Sequence, residues 1–293
     1  MVKKVHGIKH LAKNRIGFLG VASKNKRAAW PVYALLSGIL PGLALAEQSP
    51  PLNIAPASNW SVLVSPYLWG ASLNGNMKLA GKKHKIDMPF SEIASHLDSV
   101  FMGNIELTNH RWGGYLDVVH VDTDQNEQVL GQAFNLAVRQ TTVAAGGFYR
   151  AYEYELPGTT VFGEARHIAL DPVVGVRWTK IGASVKNKPY GIRMNKEARW
   201  TDPFLGARLS IDLSTRWNWA TLVELGGMDT GGKKSSNINT YLGYRAVVGN
   251  FPVIFRLGYR SLKQRYTSTD FTGHTFKYDI RQSGPVAGLT VRF

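Results

Sequence analysis

Apolar and polar residues alternate with a period of two through most of the chain beyond residue 60. In Asp202–Leu213 one parity holds Leu205, Ala207, Leu209, Ile211 and Leu213, and the other holds Phe204, Gly206, Arg208, Ser210 and Asp212. Successive side chains of a strand point to opposite faces, so each such run predicts a strand with one apolar and one polar face. The pattern returns around Phe101–His110, where Phe101, Ile105 and Leu107 oppose Asn104, Glu106, Thr108 and His110. Val253, Phe255, Leu257 and Tyr259 oppose Arg256, Gly258 and Arg260, and at the end Ala287, Leu289, Val291 and Phe293 oppose Gly288, Thr290 and Arg292.

These runs predict about twelve strands, an even number as in bacterial barrels. Their spans are 60–71, 75–89, 100–110, 112–124, 133–151, 160–170, 172–185, 202–213, 216–228, 237–248, 252–267 and 275–293. Ten or fourteen are the alternatives, because Lys180–Arg199 is Lys-rich, contains Pro189 and alternates poorly. Ser91–Asp98 predicts a short helix, with Ser91 as its cap and Ile93 and Leu97 one turn apart. If both termini lie on one side of the barrel, this helix falls on that side or folds into the mouth. The stretches Gly226–Asn239 and Thr267–His274 become loops at the opposite end, and Ser214–Arg216 and Gly249–Pro252 become tight turns beside the termini.

Alternation alone does not say which face is inside. A lipocalin-like soluble barrel buries the apolar face, whereas a transmembrane barrel turns it to lipid. The aromatics favour the membrane. Trp60, Trp69, Trp112, Trp178, Trp217, Trp219 and Phe293, with Trp200, fall at strand ends, where interfacial girdles place them. The expected fold is therefore an all-β antiparallel transmembrane barrel over residues 60–293, which leaves no backbone edge open to lipid.

The N-terminal segment fits that destination. Residues 1–46 hold a basic stretch followed by the apolar run Trp30–Leu45, which ends in Ala44-Leu45-Ala46. This is the plan of a secretory signal peptide cleaved after Ala46, and the run is shorter than the ~20 residues that span a bilayer. Residues 47–59, rich in Pro and polar groups, read as a linker.

The formal charge of +15 raises the question of nucleic acid. Eight of the basic residues lie in residues 1–46, which contain no Asp or Glu, and no basic run with interleaved aromatics follows. Nucleic-acid binding is not expected. The absence of cysteine excludes disulfides, thiolate metal sites and thiol nucleophiles.

The polar parity carries the candidate chemistry. Asp171-Pro172-Val173-Val174-Gly175-Val176-Arg177 is echoed by Asp202-Pro203-Phe204-Leu205-Gly206-Ala207-Arg208, and shorter G-x-R units recur at Gly243/Arg245 and Gly258/Arg260. Each glycine shares its arginine's face and leaves room for a long guanidinium. The predicted lumen network comprises Glu106, Asp117, Glu164, Arg177, Arg208, Asp212, Glu224, Arg245, Arg256, Arg260 and Arg292. It reads either as ion pairs filling a narrow barrel or as an arginine-lined constriction selecting anions. The near balance of acids and arginines favours the first.

No G-x-S-x-G elbow, phosphate-binding loop or dinucleotide fingerprint occurs. His120, Asp122 and Asp124 share a parity at a strand end, while His167 and His274 are isolated. No catalytic residue, metal or cofactor is assigned. A lipid-modifying enzyme with a Ser/His/acid cluster at one rim, a surface binding module and a soluble periplasmic binding barrel stay as alternatives.

Pro66-Tyr67-Leu68-Trp69, Trp200-Thr201-Asp202-Pro203-Phe204-Leu205-Gly206-Ala207-Arg208, Gly258-Tyr259-Arg260 and Gly284-Pro285-Val286-Ala287-Gly288-Leu289-Thr290-Val291-Arg292-Phe293 occur in that order. Together they resemble a family of largely uncharacterised proteobacterial outer-membrane β-barrel proteins. The resemblance implies the fold and an outer-membrane location, and it supplies no substrate. The terminal Phe293 also resembles the last-strand signal read by the outer-membrane assembly machinery. The expected partners are thus outer-membrane lipid and lipopolysaccharide, and that machinery through the C-terminal strand. Oligomeric state stays open.

Overall fold

The computed structural model describes residues 60–293 apart from 80, 130–131, 188–191, 229 and 271. The signal segment with Ala44 and Ala46, and the 47–59 linker, lie outside the described residues. Within the described residues, thirteen strands form one antiparallel sheet. They are β1 (Ser61–Trp69), β2 (Ser72–Leu79), β3 (Lys82–Met88), β4 (Leu97–Thr108), β5 (Trp112–Val129), β6 (Gln132–Tyr149) and β7 (Tyr152–Thr159). After these come β8 (Ala165–Asn187), β9 (Ile192–Asp212), β10 (Trp217–Gly226), β11 (Lys233–Val248), β12 (Phe251–Thr269) and β13 (Thr275–Arg292), with one helix, α1 (Phe90–Ser95), after β3.

Ten strands close the barrel, in the order β1, β4, β5, β6, β8, β9, β10, β11, β12, β13, with β13 returning to β1. The remaining three lie off the ring. β2 continues β1 along the same neighbour: Trp69 faces Val286 and Ser72 faces Ser283 in unbroken register. β2 and β3 form a hairpin that rises beyond the ring at the end away from the termini. At the terminal end, β7 pairs with the first residues of β8, Tyr152 facing Leu170.

Ten, one of the two alternative counts, is thus the closed number. Two predicted strands, 160–170 and 172–185, are a single strand because Asp171-Pro172 stays within the β8 ladder. The stretch 75–89 is the β2–β3 hairpin and crosses nothing. That hairpin also moves the helix. α1 lies at the end opposite the termini, and its N-cap is Pro89 with no side-chain cap, so Ser91 sits inside the first turn. Lys180–Arg199 belongs to β8 and β9, apart from the connection at 188–191 outside the described residues.

Local chemistry sets the tight turns at the terminal end. Asn109 Oδ1 accepts hydrogen bonds from the backbone N–H groups of Arg111 (3.2 Å) and Trp112 (2.7 Å), folding the chain between β4 and β5. Ser214 Oγ does the same for Arg216 and Trp217 before β10. Gly249 (φ 60°) with Asn250 makes the two-residue turn between Val248 and Phe251, where a left-handed conformation matches the strand twist. The stretches Gly226–Asn239 and Thr267–His274 do lie at the far end, but β11 begins at Lys233 and β12 runs to Thr269, so the connections there are shorter than expected.

The outer surface carries an apolar band. On β13 it includes Phe293, Val291, Leu289, Ala287 and Pro285; on β12, Phe251, Phe255, Leu257 and Tyr259; on β9, Leu213, Ile211, Leu209, Ala207 and Leu205. Leu257 is 68% exposed and Leu225 59%. Such exposure for large aliphatic side chains around the whole ring is foreign to a water-soluble barrel. Nine residues, Phe293 and the last eight of β13 back to Pro285, cross the band. At about 3.4 Å per residue and a tilt of about 40°, they span roughly 20 Å of height.

Candidate functional site in the barrel lumen

The inward parity places a charged network through the middle of the barrel. Its organising element is the repeated D-P-x-x-G-x-R motif. One copy lies on β8 and the other on β9, antiparallel, so Asp171 faces Arg208 and Arg177 faces Asp202. Each copy's acid thus meets the other copy's arginine: Arg208 Nε donates to Asp171 Oδ2 at 3.0 Å, and Arg177 lies 3.9 Å from Asp202.

From this pair the network spreads to other strands. Arg208 also donates to Glu106 on β4 (2.8 Å), and Asp171 accepts from Arg150 (2.6 Å), which reaches Glu153 (2.8 Å). Arg177 donates to Glu224 on β10 and to Ser235 on β11. Glu224 further accepts from the Tyr115 hydroxyl (2.6 Å) and from Asn237 Nδ2 (2.9 Å). On the other wall, Arg260 donates to Asp117 (3.0 Å), to the Tyr67 hydroxyl (2.8 Å) and to Asn237 Oδ1, while Tyr67 donates to Asp117 (2.8 Å). Nearer the termini, Arg245 pairs with Asp212, and Arg292 with Glu164.

Aromatic rings fill the space between these ions. Arg208 lies over Phe148 (3.9 Å to the ring centroid), Arg177 over Phe204 (5.0 Å), Arg260 over Trp69 (4.9 Å) and Arg256 over Tyr241 (4.6 Å). A guanidinium is flat and weakly hydrated, so it can stack on a ring while its edge donates to carboxylates. Arg177 is 0% exposed and Glu224 1%. A water-filled channel would leave such mid-lumen charges in contact with solvent; here they are packed. Within the network lies a cavity of about 110 Å³ bordered by Asn104, Glu106, Asp117, Arg208 and Arg256. Arg256 is the one predicted lumen arginine with no carboxylate partner among the described residues.

The glycines of the G-x-R units serve neighbours rather than the guanidinium on their own strand. A Cβ on Gly175 would come within 2.3 Å of Ala145 O and 2.4 Å of the Phe204 ring, and one on Gly243 within 2.3 Å of Asn218 Oδ1. The room expected beside Arg177 is taken by the Phe204 ring, over which that arginine lies.

Beyond the network, the lumen closes toward the far end. Gln264 Nε2 donates to Thr179 (2.8 Å) and Gln282 Nε2 to Gln140 (2.8 Å). Past them, Trp200 stacks on Tyr266 at 4.8 Å, next to Tyr278 and Ile280. Burial in this cluster pushes the Tyr278 phenol up from its ordinary range.

The predicted surface aromatics divide. Trp60, Trp112, Trp217 and Phe293 are exposed at the terminal edge of the band, with Trp112 against Tyr149 (4.5 Å), Trp217 against Tyr244 (5.0 Å) and Phe293 against Phe251 (5.6 Å). Trp219 follows one row further in and donates from its indole N–H to Thr240, and Trp178 marks the far edge. Trp69 does not join them. It is 4% exposed and faces the lumen, because in Pro66-Tyr67-Leu68-Trp69 only Leu68 of the last three has the outward parity. Trp200 is likewise inside.

His120, Asp122 and Asp124 do share an outer face just past the band, but each is engaged across the strand pair, with Thr141, Arg139 and Asn135 respectively. No group of three or more metal-ligating side chains occurs among the described residues. His167 sits 3.4 Å from Asp212, and His274 is in the far-end loop beside Thr272. Eight members of the network escaped sequence reasoning: Tyr67, Tyr115, Arg150, Glu153, Asp171, Asp202, Ser235 and Asn237. For the two aspartates a signal existed, since each lies at the lumen parity of its own motif.

No family model and no curated protein matches the chain. Among solved structures it is similar to Ail, the attachment invasion locus protein of Yersinia pestis, at 13% identity and a TM-score of 0.31, covering 80% of this chain and 98% of that one. It is also similar to Neisserial surface protein A (14%, TM-score 0.29, 80% and 98%) and to the Pseudomonas putida toluene transporter TodX (9%, TM-score 0.28, 82% and 91%). At such scores these likenesses carry no argument about activity, and the barrel rests on its own strand pairing.

Proposed function

We propose that this chain is an outer-membrane β-barrel with a structurally filled lumen, an envelope protein rather than an open pore. The supporting observation is the burial of Arg177 and Glu224 at mid-lumen, within an apolar outer band roughly 20 Å tall, near the ~25 Å of outer-membrane barrels. The terminal end, with its tight turns, then faces the periplasm, and the β2–β3 hairpin, α1 and the far-end loops face outward. Cleavage after Ala46 and delivery to the assembly machinery through β13 complete the route. β13 forms the closing seam between β12 and β1, which suits the strand that must be recognised before closure.

Cells expressing the full precursor should yield a heat-modifiable band in the outer-membrane fraction. The purified protein should show no steady conductance in planar bilayers, whereas Arg177→Ala/Glu224→Ala should conduct. A soluble periplasmic band would move the search to ligands held inside a water-soluble barrel. Steady anion-selective current from the unaltered protein would instead establish the arginines as a selecting constriction.

A further inference from the structure

The outward face of β11, β12, β13, β2 and β3 beyond the apolar band is strongly and unevenly charged. Strand register arranges it in rows. The first row past a belt of serines (Ser261, Ser283, Ser72) sets Lys263 directly opposite Arg281, which faces Asn74 and then Asp87. The second runs Lys234, Arg265, Asp279, Asn76, Lys85. The third places Lys277, Lys78 and Lys83 side by side on three adjacent strands. Apart from Lys234, the face therefore holds seven lysine and arginine side chains against two aspartates.

Like charges directly opposite on one sheet face are destabilising, so rows of this kind need an external counter-charge. The aspartates do not supply it. Asp279 is shared by Arg265 (3.1 Å) and Lys277 (3.8 Å), Asp87 pairs with Lys85 (3.5 Å), and Lys263, Arg281, Lys78 and Lys83 make no ion pair among the described residues. At the same height on the opposite wall acids meet bases more often, Arg139 with Asp122 and Lys180 with Glu197 (3.0 Å), although Lys180 also faces Arg199. The uncompensated excess is thus greater on this face than on the opposite wall.

The position of the face identifies the counter-charge. It continues the lipid-facing surface of the same strands. Arg281 lies four residues beyond Pro285, so the first row stands about 10 Å above the band edge, the level of phosphorylated head and core groups. We infer that this β11–β12–β13–β2–β3 face is a binding site for the phosphate groups of a phosphorylated glycolipid of the outer leaflet, of the lipopolysaccharide class. The inference rests on the outer-membrane reading above.

The test uses the full-length chain, folded in neutral detergent and verified by its heat-modifiable band. Lipopolysaccharide carrying its core phosphates, the same material dephosphorylated, and soluble dextran sulfate are titrated against it, with binding followed by native mass spectrometry. The intact glycolipid should bind best. Lys263→Gln/Arg281→Gln/Lys277→Gln should weaken it by about a hundredfold, from the attraction of about three charges to an anionic surface. Arg139→Gln/Lys180→Gln/Arg199→Gln, on the opposite wall, should change it by no more than about twofold. Equal losses in the two variants, equal binding of the dephosphorylated glycolipid, or tighter binding of dextran sulfate would each overturn the site. Lack of a heat-modifiable outer-membrane band would instead remove the membrane reading before any lipid is added.

Discussion

The band and the far-end extension are built from the same strands with opposite chemistry. Along β13 the outward parity reads Phe293, Val291, Leu289, Ala287 and Pro285, then Ser283, Arg281, Asp279 and Lys277. The inward parity of the same strand begins with Arg292, Thr290 and Gly288, and ends in Gln282, Ile280, Tyr278 and Phe276. β8 and β9 invert at the same height: outward Val174, Val176 and Trp178 give way to Lys180, while inward Arg177 and Thr179 give way to Ile181, opposite Ala198 on β9 and packed with Trp200. Strand direction and pleat do not change, so the backbone cannot be the cause. On the proposed membrane placement the surroundings change: lipid outside the lower part leaves the polar residues to the interior, and above it water outside permits an ordinary hydrophobic core.

This contrast can be broken by moving each chemistry into the other region. The largest effect is expected inside the band. Arg177→Ala leaves Glu224 buried with one fewer positive partner and should cost about 3–5 kcal/mol. Urea unfolding in phospholipid vesicles measures it, and Arg177→Met/Glu224→Leu should recover much of the loss. Next comes Leu257→Arg, on the outward face of the band, where about 2–4 kcal/mol is expected in vesicles. Arg281→Leu, on the same face but above the band, should stay within about 0.5 kcal/mol in neutral lipid. If Leu257→Arg were equally silent, the band would not be in lipid. The smallest sizeable change is Gly175→Ala, whose methyl would meet Ala145 O and the Phe204 ring. It should cost about 1–3 kcal/mol by overpacking, seen as a lower temperature of the gel shift.

Much of this architecture was legible in the period-two alternation, which survives wherever a strand has two unlike surroundings. The lumen parity of Glu106, Asp117, Glu224, Arg177, Arg208 and Arg260 followed from it directly. The strand count was less accessible. β2 continues β1 past the band into a hairpin, and the resulting segment alternates like a crossing strand although it crosses nothing. Trp69 and Trp200 were misplaced for a related reason: an aromatic near a strand end marks either a girdle or a cap on the lumen, and only its parity relative to Leu68 or Thr201 separates the two.

The sequence by itself determined that the chain makes antiparallel strands with one apolar and one charged face, because side-chain direction is a local property of extended backbone. It also held the two D-P-x-x-G-x-R copies that carry the central ion pairs. Only the tertiary structure decided that these copies lie antiparallel in a register that sets Asp171 against Arg208 and Asp202 against Arg177. It alone decided that ten strands close and that aromatic rings and arginines fill the space within. Pairing, closure and filling depend on which residues meet across long chain separations, and a local pattern holds no record of those meetings.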